Sequence, residues 1–276
     1  MRINTNIMAL NAQNMLAGNQ GGVQKSINKL SSGLRINSAA DDAAGLAISE
    51  KMRSQIRGLD QAESNAQDGI SLIQTAEGAL QQTTDILQRM RELVIKSENS
   101  GVLSEEDKTA IDVEMKELTT EIDRIAKSTS FNGKTLLKGD FDGSDADKKV
   151  LNFKIGANTV TDDTLKVTIG NMTSTALTVN AITSTTDKAL DKIDEAIATV
   201  SAQRAKLGAV QNRMEYAIES ITVTGENLSS AESRIRDVDM AAEMVNFTKN
   251  NILQQSAMSM LAQANQQPMQ ILSLLQ

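Results

Sequence analysis

The sequence lacks cysteine and histidine altogether, so several kinds of chemistry are excluded before any pattern is considered. Without cysteine the chain forms no disulfide and no thiolate metal site. Without histidine it has no Ser–His–Asp triad, no histidine-based zinc site and no imidazole acid–base catalyst. The aspartates and glutamates are scattered at helix-surface spacing, without a convergent pair. We therefore expect a protein that is not an enzyme, with no catalytic, metal-binding or cofactor-binding residues.

Aromatic residues and proline are also scarce. Aromatic side chains make up 2% of the 276 residues, there is no tryptophan, and the chain has a single proline. Compact cores usually draw much of their buried area from aromatic side chains. Abundant alanine, leucine, glutamine, lysine and glutamate, with almost no proline, favour long uninterrupted helices. The composition therefore predicts a mainly α protein with thin helix–helix contacts.

The charge pattern and the apolar pattern exclude two classes of partner. The net charge is −7, and no basic stripe with interleaved aromatic residues is present, so we expect no nucleic-acid binding. No stretch is apolar and long enough to span a membrane, so we expect no membrane insertion. The N-terminal "MRINTNIMALNAQ" lacks the apolar region of a cleaved secretory signal. The protein is therefore expected to stay inside the cell or to leave by a route that needs no such signal.

Two long heptad patterns, one in each half of the chain, dominate the sequence. In the first half, residues 55–97 read as one helix of about 65 Å. In the second half, a helix is expected to follow an N-cap pattern, "STTD", at residues 184–187. Two matched apolar stripes predict an antiparallel helical bundle or coiled coil within one chain. The predicted intrachain seam consists of Leu59, Ile73, Leu80, Leu87, Val94, Ile193, Val200, Leu207, Met214 and Ile221.

Shorter elements are predicted between these two helices. A separate helical pattern covers residues 43–57, and "SEED" from Ser104 reads as the N-cap of a further helix. Asn132-Gly133 is a turn signal. Within residues 141–186, apolar residues alternate with polar ones around positions 151–155 and 165–169. We expect a small β-hairpin region there, at the far end of the helical rod.

The two ends of the chain carry weak amphipathic patterns rich in asparagine and glutamine. They cover roughly residues 3–34 and 239–276, and neither is expected to form a stable helix alone. Two such ends, brought together by a hairpin-like chain, are candidates to pair with each other or with other copies. The alternative is that both termini are frayed or disordered.

Several blocks of the sequence resemble bacterial flagellin. They are "LSSGLRINSAADDAAGLAISEKMRSQIRGL" at residues 30–59, "NAQDGISLIQTAEGALQQTTDILQRMREL" at 65–93, "TSFNGKTLL" at 129–137, and "AESRIRDVDMAAEMVNFTKNNILQQSAMSMLAQANQQP" at 231–268. The start of the chain resembles the N-terminus of the same family. The matches cover about 140 N-terminal and 90 C-terminal residues and leave only the middle unassigned.

The resemblance implies a structural subunit that polymerises into the flagellar filament for motility. It places residues 1–42 and 235–276 in an inner coiled-coil core, with residues 43–140 and 187–234 in the rod domain and a short variable β region at 141–186. The terminal segments are expected to become ordered on assembly. The alternative is a hook–filament junction protein, whose ends are similar to those of flagellin. The residues assigned to inner-core assembly are Ile7, Leu16, Val23, Leu30, Met244, Phe247, Ile252, Met258 and Leu261.

The resemblance also implies partners. These are other copies of the chain in a helical homopolymer, a flagellar export chaperone on residues 239–276, the flagellar type III export apparatus, and the filament cap and junction proteins. The expected location is the extracellular filament. A further implied partner is the host Toll-like receptor for flagellin. Its surface would carry Gln88, Arg89, Glu92, Leu93 and Glu114, although contacts between rods in the filament are the simpler use of these residues. Arg89 and Leu93 are four residues apart and are expected to share a helix face.

Overall fold

The computed structural model describes residues 6–99, 103–143, 150–158, 163–183 and 188–274, with the side chains up to residue 267. The chain is mainly α, as predicted, with two separate antiparallel strand pairs. The predicted cap at residues 184–187 and part of the predicted turn at 156–164 lie outside the described residues. The elements are α1 (Ile7–Ser32), α2 (Ala43–Ser97), α3 (Glu105–Ser128), β1 (Ser130–Phe131), β2 (Lys134–Thr135), β3 (Leu151–Lys154), β4 (Thr164–Val167), α4 (Ala189–Arg236) and α5 (Met240–Leu274).

The chain divides into two compact units, and each of them combines residues from both halves of the sequence. We call Met1–Ser54 with Glu226–Gln276 the terminal unit, and Gln55–Gly225 the central unit. The terminal unit contains α1, α5 and the adjoining ends of α2 and α4. The central unit contains the rest of α2 and α4, together with α3 and all four strands.

Helix α2 is longer than the sequence pattern predicts. It runs without interruption from Ala43 to Ser97, whereas the periodicity indicated one helical pattern up to residue 57 and another from residue 55. Gly58 lies where the two patterns meet. A glycine in a helix interior costs only about 1 kcal/mol relative to alanine, and it still provides both backbone hydrogen-bonding groups. The expected boundary is therefore wrong, and the two patterns belong to one helix.

The central unit is built on α2 and α4, which pack in antiparallel directions. Arg91 pairs with Asp194 across the two helices, Glu77 with Arg204, and Gly69 lies against Met214. The residue number falls along α2 as it rises along α4, which is the signature of antiparallel packing. The seam side chains from Ile73 to Val94 and from Ile193 to Met214 are buried in one hydrophobic core, Ile221 is also buried, and Leu59 is half-buried.

Helix α3 covers this core and begins where the sequence predicts. Ser104 is its N-cap: its hydroxyl accepts from the backbone N–H of Asp107, and the Asp107 carboxylate accepts from the backbone N–H of Ser104. This reciprocal arrangement is the capping box that "SEED" indicates. The buried face of α3 consists of Ile111, Met115, Ile122, Ile125 and Ala126.

The strands form two small hairpins. Asn132 and Gly133, both with positive φ (48° and 75°), make the tight turn between β1 and β2. Strands β3 and β4 pair with Leu151 opposite Val167 and Phe153 opposite Leu165. The turn and the two strands are therefore found where the sequence predicts them.

The position of the β3–β4 hairpin differs from the expectation. The side-chain amide of Asn65 donates to the carbonyl of Lys154 over 3.2 Å, and Ala157 lies close to Gly58. The hairpin therefore lies beside the part of α2 that contains Gly58 and Asn65. It does not lie at the far end of the helices. Leu151, Leu165 and Val167 gain burial in the helical core there, which a position beyond the helix ends would not provide.

Candidate functional site

The two ends of the chain pair with each other as α1 and α5. Asn6 caps α1, since its side-chain oxygen accepts from the N–H of Ala9, while its side-chain nitrogen donates to the carbonyl of Ala264 over 2.8 Å. Among the described side chains of this helix pair, the buried residues are small: Ser26, Ala257 and Ala264. Small residues let the two helices approach closely, but they bury little apolar surface.

Large apolar side chains remain exposed on this helix pair. We define the terminal apolar surface as Ile7, Met8, Leu10, Met15, Met240, Met244, Val245, Ile252, Leu253, Met258 and Met260, all of which are classed as exposed. One groove of about 360 Å³ is lined by Met8, Met15, Leu253 and Met260 among others, and a second of about 410 Å³ by Met244, Val245 and Ile252. Several large apolar side chains left exposed on one helix pair are typical of an interaction surface.

The residues predicted for inner-core assembly fall into two groups on α1 and α5. Ile7, Met244, Ile252 and Met258 belong to the terminal apolar surface. The others are half-buried: Leu16, Val23, Leu30, Phe247 and Leu261. The predicted set therefore includes both the contact between the two helices and part of the surface that they leave open.

A backbone bridge joins the two chain segments of the terminal unit. The N–H of Arg35 donates to the carbonyl of Arg236 over 2.6 Å, and the N–H of Val238 donates to the carbonyl of Gly33 over 3.1 Å. Gly33 ends α1 in the left-handed conformation (φ 71°) that favours glycine, so the chain can turn directly into this bridge. The bridge fixes the end of α1 against the break between α4 and α5.

Charged side chains support the same joint. Arg236 Nη1 donates to Glu50 Oε1 over 2.6 Å, and Arg53 lies 3.9 Å from Glu232. Arg236 is 8% exposed. Sequence reasoning missed these four residues. Apolar periodicity carries no signal for a buried cation that pairs with a carboxylate far away along the chain.

The loop that leads into α2 is organised by one carboxylate. Asp41 accepts hydrogen bonds from the backbone N–H groups of Ser38 and Asn37 and from the Ser38 hydroxyl. These hydrogen bonds, the one from the Ser38 N–H first, hold the pKa of Asp41 below its ordinary value. The loop therefore keeps a negative charge close to the start of α2.

The receptor-like set on α2 and α3 centres on Arg89. Its Nε and Nη2 donate to Glu114 Oε1 over 3.0 and 2.9 Å, and its Nη1 donates to Glu92 Oε2 over 3.2 Å. The hydrogen bond with Glu114, followed by that with Glu92, raises the pKa of Arg89. Gln88 is exposed beside it. The structure therefore brings four of the five predicted residues together on one surface.

Leu93 does not join this surface. It is 2% exposed and belongs to the hydrophobic core of the central unit. The structure therefore does not place Leu93 on the exposed receptor-like surface that the resemblance implies. Spacing by four residues places two side chains on neighbouring parts of a helix, but it does not determine which of them is buried in the core.

Neither metal-site geometry nor a membrane span is found in the part of the chain that the structure describes. Within those residues no three acidic side chains converge on a point where a metal ion would bind. No helix in the same residues combines the length and the hydropathy required to cross a bilayer.

Comparison with known proteins gives a consistent family assignment. A family model described as the bacterial flagellin N-terminal helical region matches residues 3–142, and one described as the C-terminal helical region matches residues 190–275. Flagellin of Bacillus subtilis (strain 168) is 52% identical, with full coverage of both chains. The flagellar filament 33 kDa core protein of Treponema phagedenis is 51% identical, also with full coverage of both chains.

Solved structures include a fold relative of a different kind. A putative flagellar hook-associated protein from Vibrio parahaemolyticus matches 71% of this chain and all of its own, with a TM-score of 0.58 and 15% identity. At that identity the likeness concerns the fold alone. Bacillus cereus flagellin is 26% identical over 61% of this chain and 94% of its own, with a TM-score of 0.49.

Proposed function

The chain belongs to the bacterial flagellin family and is a structural subunit of the flagellar filament, and we propose that the terminal apolar surface is where one subunit binds the next. The observation that carries this proposal is the contrast between the two helical pairs. The pair α2–α4 buries the large apolar residues of its seam, whereas the buried residues described between α1 and α5 are small and large apolar residues of both helices stay exposed. The missing burial is supplied when further subunits cover α1 and α5.

The same surface explains why assembly is open-ended. A contact between this surface and a different surface of the next subunit is heterologous, and it repeats as an open helix when the rotation between subunits does not close a ring. A helical homopolymer follows from such heterologous contacts. We assign residues 1–42 and 235–276 to the inner core of the filament, and residues 43–140 and 187–234 to its rod domain.

The assembly surface can be tested with a matched pair of substitutions. Val245 on α5 is 69% exposed and Val113 on α3 is 61% exposed, so both valines begin in similar environments. We expect Val245→Asp to block polymerisation onto filament seeds, measured by sedimentation and electron microscopy, because it buries an unpaired charge in the subunit contact. Val113→Asp should polymerise at close to the normal rate. Normal polymerisation of Val245→Asp would contradict the proposal.

The terminal helices are expected to become more ordered on assembly. Alone, α1 and α5 have few large buried side chains, so their folded state gains little from packing. Burial against neighbouring subunits would couple further ordering to binding. Hydrogen exchange over residues 7–30 tests this point. We expect strong protection in filaments and weak protection in monomers, and equal protection in both would defeat the idea.

The export machinery has a physical reason to recognise the same surface. An exposed apolar helix must be covered before export, and residues 239–276 contain most of the terminal apolar surface. We assign this segment to a flagellar export chaperone, and the N-terminal region to recognition by the type III export apparatus. The cap and junction proteins would contact subunits at the two ends of the filament, outside the cell.

The Arg89 set has two uses under this proposal. Its first use is contact between neighbouring rod domains, and its second is recognition by the host Toll-like receptor for flagellin. Arg89→Ala is expected to lower receptor signalling in reporter cells treated with monomer. The matched control is Arg124→Ala, since Arg124 pairs with Glu121 on an exposed part of α3 in the same way. Equal signalling by the two variants would argue against a specific role for Arg89.

The hook–filament junction alternative makes a separate prediction. Filament subunits dominate the protein sheared from cell surfaces, and junction proteins are scarce there. We expect this chain to be the major component of sheared filaments. The full-length relatives named flagellin and flagellar filament core protein favour the filament role.

A further inference from the structure

The methionines are divided between the two units in an unusual way. The chain contains thirteen of them. Four are buried in the core of the central unit: Met90, Met115, Met172 and Met214. Six are 47–68% exposed, and all six lie on α1 and α5: Met8, Met15, Met240, Met244, Met258 and Met260. Every exposed methionine among the described side chains is therefore part of the terminal apolar surface.

From this distribution we propose that the six exposed methionines form an oxidation-sensitive site that controls whether a subunit can assemble. The proposal rests on the proposed function, because it requires the terminal apolar surface to be buried between subunits. A thioether is oxidised most readily where a reagent can reach the sulfur. In the free subunit these six are accessible, and in the filament they would be covered.

The chemistry requires only a peroxide as oxidant. A sulfur lone pair attacks one oxygen of hydrogen peroxide, the O–O bond breaks, and an S–O bond forms. The other oxygen leaves as hydroxide and takes up the proton of the transferred hydroxyl to become water, so the methionine is oxidised to the sulfoxide by two electrons and the peroxide is reduced to water. No metal or cofactor is needed. Methionine sulfoxide reductases reverse the reaction, so the modification is not permanent.

The consequence for assembly follows from polarity. A methionine side chain is flexible and apolar, whereas its sulfoxide is polar and needs a hydrogen-bond partner when it is buried. Met8, Met15 and Met260 line one groove of the terminal apolar surface, so oxidation there places three polar groups in one apolar contact. Oxidised subunits would therefore bind filament ends weakly while the core of the central unit stays intact.

The decisive experiment compares three samples of the full-length chain. Monomers, assembled filaments, and monomers in which all six methionines are replaced by leucine receive the same mild hydrogen peroxide treatment. Leucine is similar in volume and cannot be oxidised. Peptide mass spectrometry locates the sulfoxides, and seeded polymerisation measures the rate of assembly.

We expect the six exposed methionines of the monomer to oxidise well before the four core methionines. The oxidised monomer should assemble at least about tenfold more slowly, which corresponds to an increase of about 1.4 kcal/mol in the activation free energy of subunit addition. The same six should be protected in filaments. Treatment of the oxidised monomer with both sulfoxide reductases should restore assembly, and the leucine variant should assemble equally with and without peroxide.

Each other outcome has a distinct meaning. Normal assembly of monomer that carries sulfoxides at the six positions would overturn the inference, as would failure of the reductases to restore assembly. If the leucine variant does not assemble even without peroxide, the reductase experiment on the native chain still decides. If the untreated native chain does not assemble at all, the proposed function is wrong and this inference fails with it.

Discussion

Arg236 at the end of α4 donates a hydrogen bond from Nη1 to Oε1 of Glu50 in α2, over 2.6 Å and across 186 residues of sequence. The Arg236 side chain is nearly buried, whereas that of Glu50 is more than half exposed. The arginine Nε has no partner among the described residues. The guanidinium is therefore a partly desolvated cation whose carboxylate partner remains in contact with water.

This asymmetry predicts unequal effects for the two obvious substitutions. Glu50→Ala leaves the buried guanidinium without its carboxylate and should destabilise the terminal unit by about 1–2 kcal/mol. Arg236→Met removes the buried charge and keeps apolar packing, so its cost should be smaller. Hydrogen exchange at the backbone N–H groups of Arg35 and Val238 reports on this joint. Faster exchange in Arg236→Met than in Glu50→Ala would show that the argument is wrong.

Thr178 holds an unfavourable backbone conformation, and this gives a stabilising prediction. Its φ is 59°, in the left-handed region that β-branched residues rarely adopt. The N–H of Val179 donates to the carbonyl of Ser174 and the N–H of Thr178 to that of Thr175, which is the hydrogen-bond pattern of a helix C-cap that favours glycine. Thr178→Gly should raise the stability of the central unit by about 1 kcal/mol.

The control for this substitution is in the same turn. Thr175 is exposed and does not have positive φ, so Thr175→Gly adds only backbone entropy to the unfolded chain and should destabilise. Urea unfolding followed by circular dichroism compares the two. If both glycine variants lose stability, the strain at Thr178 is unimportant.

Two glycines in α2 are expected to respond differently to alanine. A Cβ at Gly78 would have nothing within 4 Å, so Gly78→Ala should stabilise the monomer by up to about 1 kcal/mol through helix propensity. A Cβ at Gly69 would lie 2.9 Å from Met214 Cε and 3.1 Å from the Phe153 ring. Gly69→Ala should gain the same stability from helix propensity, but the close contacts with Met214 and Phe153 should cancel part of that gain. Thermal unfolding of both monomers tests the ranking, and a larger gain at Gly69 would contradict it.

The capping box of α3 predicts a pH dependence with a definite sign. The hydrogen bond from the Ser104 N–H, followed by that from the Ser104 hydroxyl, holds the pKa of Asp107 below its ordinary value of 3.8. A carboxyl whose pKa is depressed on folding stabilises the folded state above its ordinary value, and this contribution is lost as the pH falls through the folded pKa. Protonation below about pH 4 should therefore weaken the start of α3.

Ser104→Ala separates the cap from other acid effects. At pH 7 it should cost about 1 kcal/mol, typical for loss of a serine N-cap. Asp107→Asn should also destabilise at pH 7, and its difference from the native chain should narrow in acid, where the native Asp107 becomes neutral. Stability measured by urea unfolding from pH 7 to pH 2 tests this. A difference that stays constant over this range would rule out the assigned role of Asp107.

The structure agrees most closely with the predictions that the sequence makes for helix caps and tight turns. "SEED" predicts the cap at Ser104, and Asn132-Gly133 predicts the turn between β1 and β2. Both features depend on residues within three or four positions of each other. The alternation at Leu151 and Phe153 likewise predicts a strand, because the two side chains must reach the same face of a hairpin.

Features that depend on distant residues were not predictable in this way. Leu93 is buried in the hydrophobic core of the central unit, and the spacing of apolar residues along α2 does not by itself show that this side chain is covered. The β3–β4 hairpin is identified by its alternation, but its place beside Gly58 and Asn65 depends on which apolar face of the helices is open. Glu50 and Arg236 meet only because the two ends of the chain are brought together in one unit.

The sequence by itself determined that the chain is helical and that its two halves carry matching apolar stripes. Its lack of histidine and cysteine also excluded the chemistry of both side chains. These properties follow from short-range periodicity, capping and composition. Only the tertiary structure decided which side chains are covered and which stay exposed, above all the methionines on α1 and α5. Burial depends on which elements pack together. Helices α1 and α5 pack through small residues, and the large apolar side chains of both helices stay exposed.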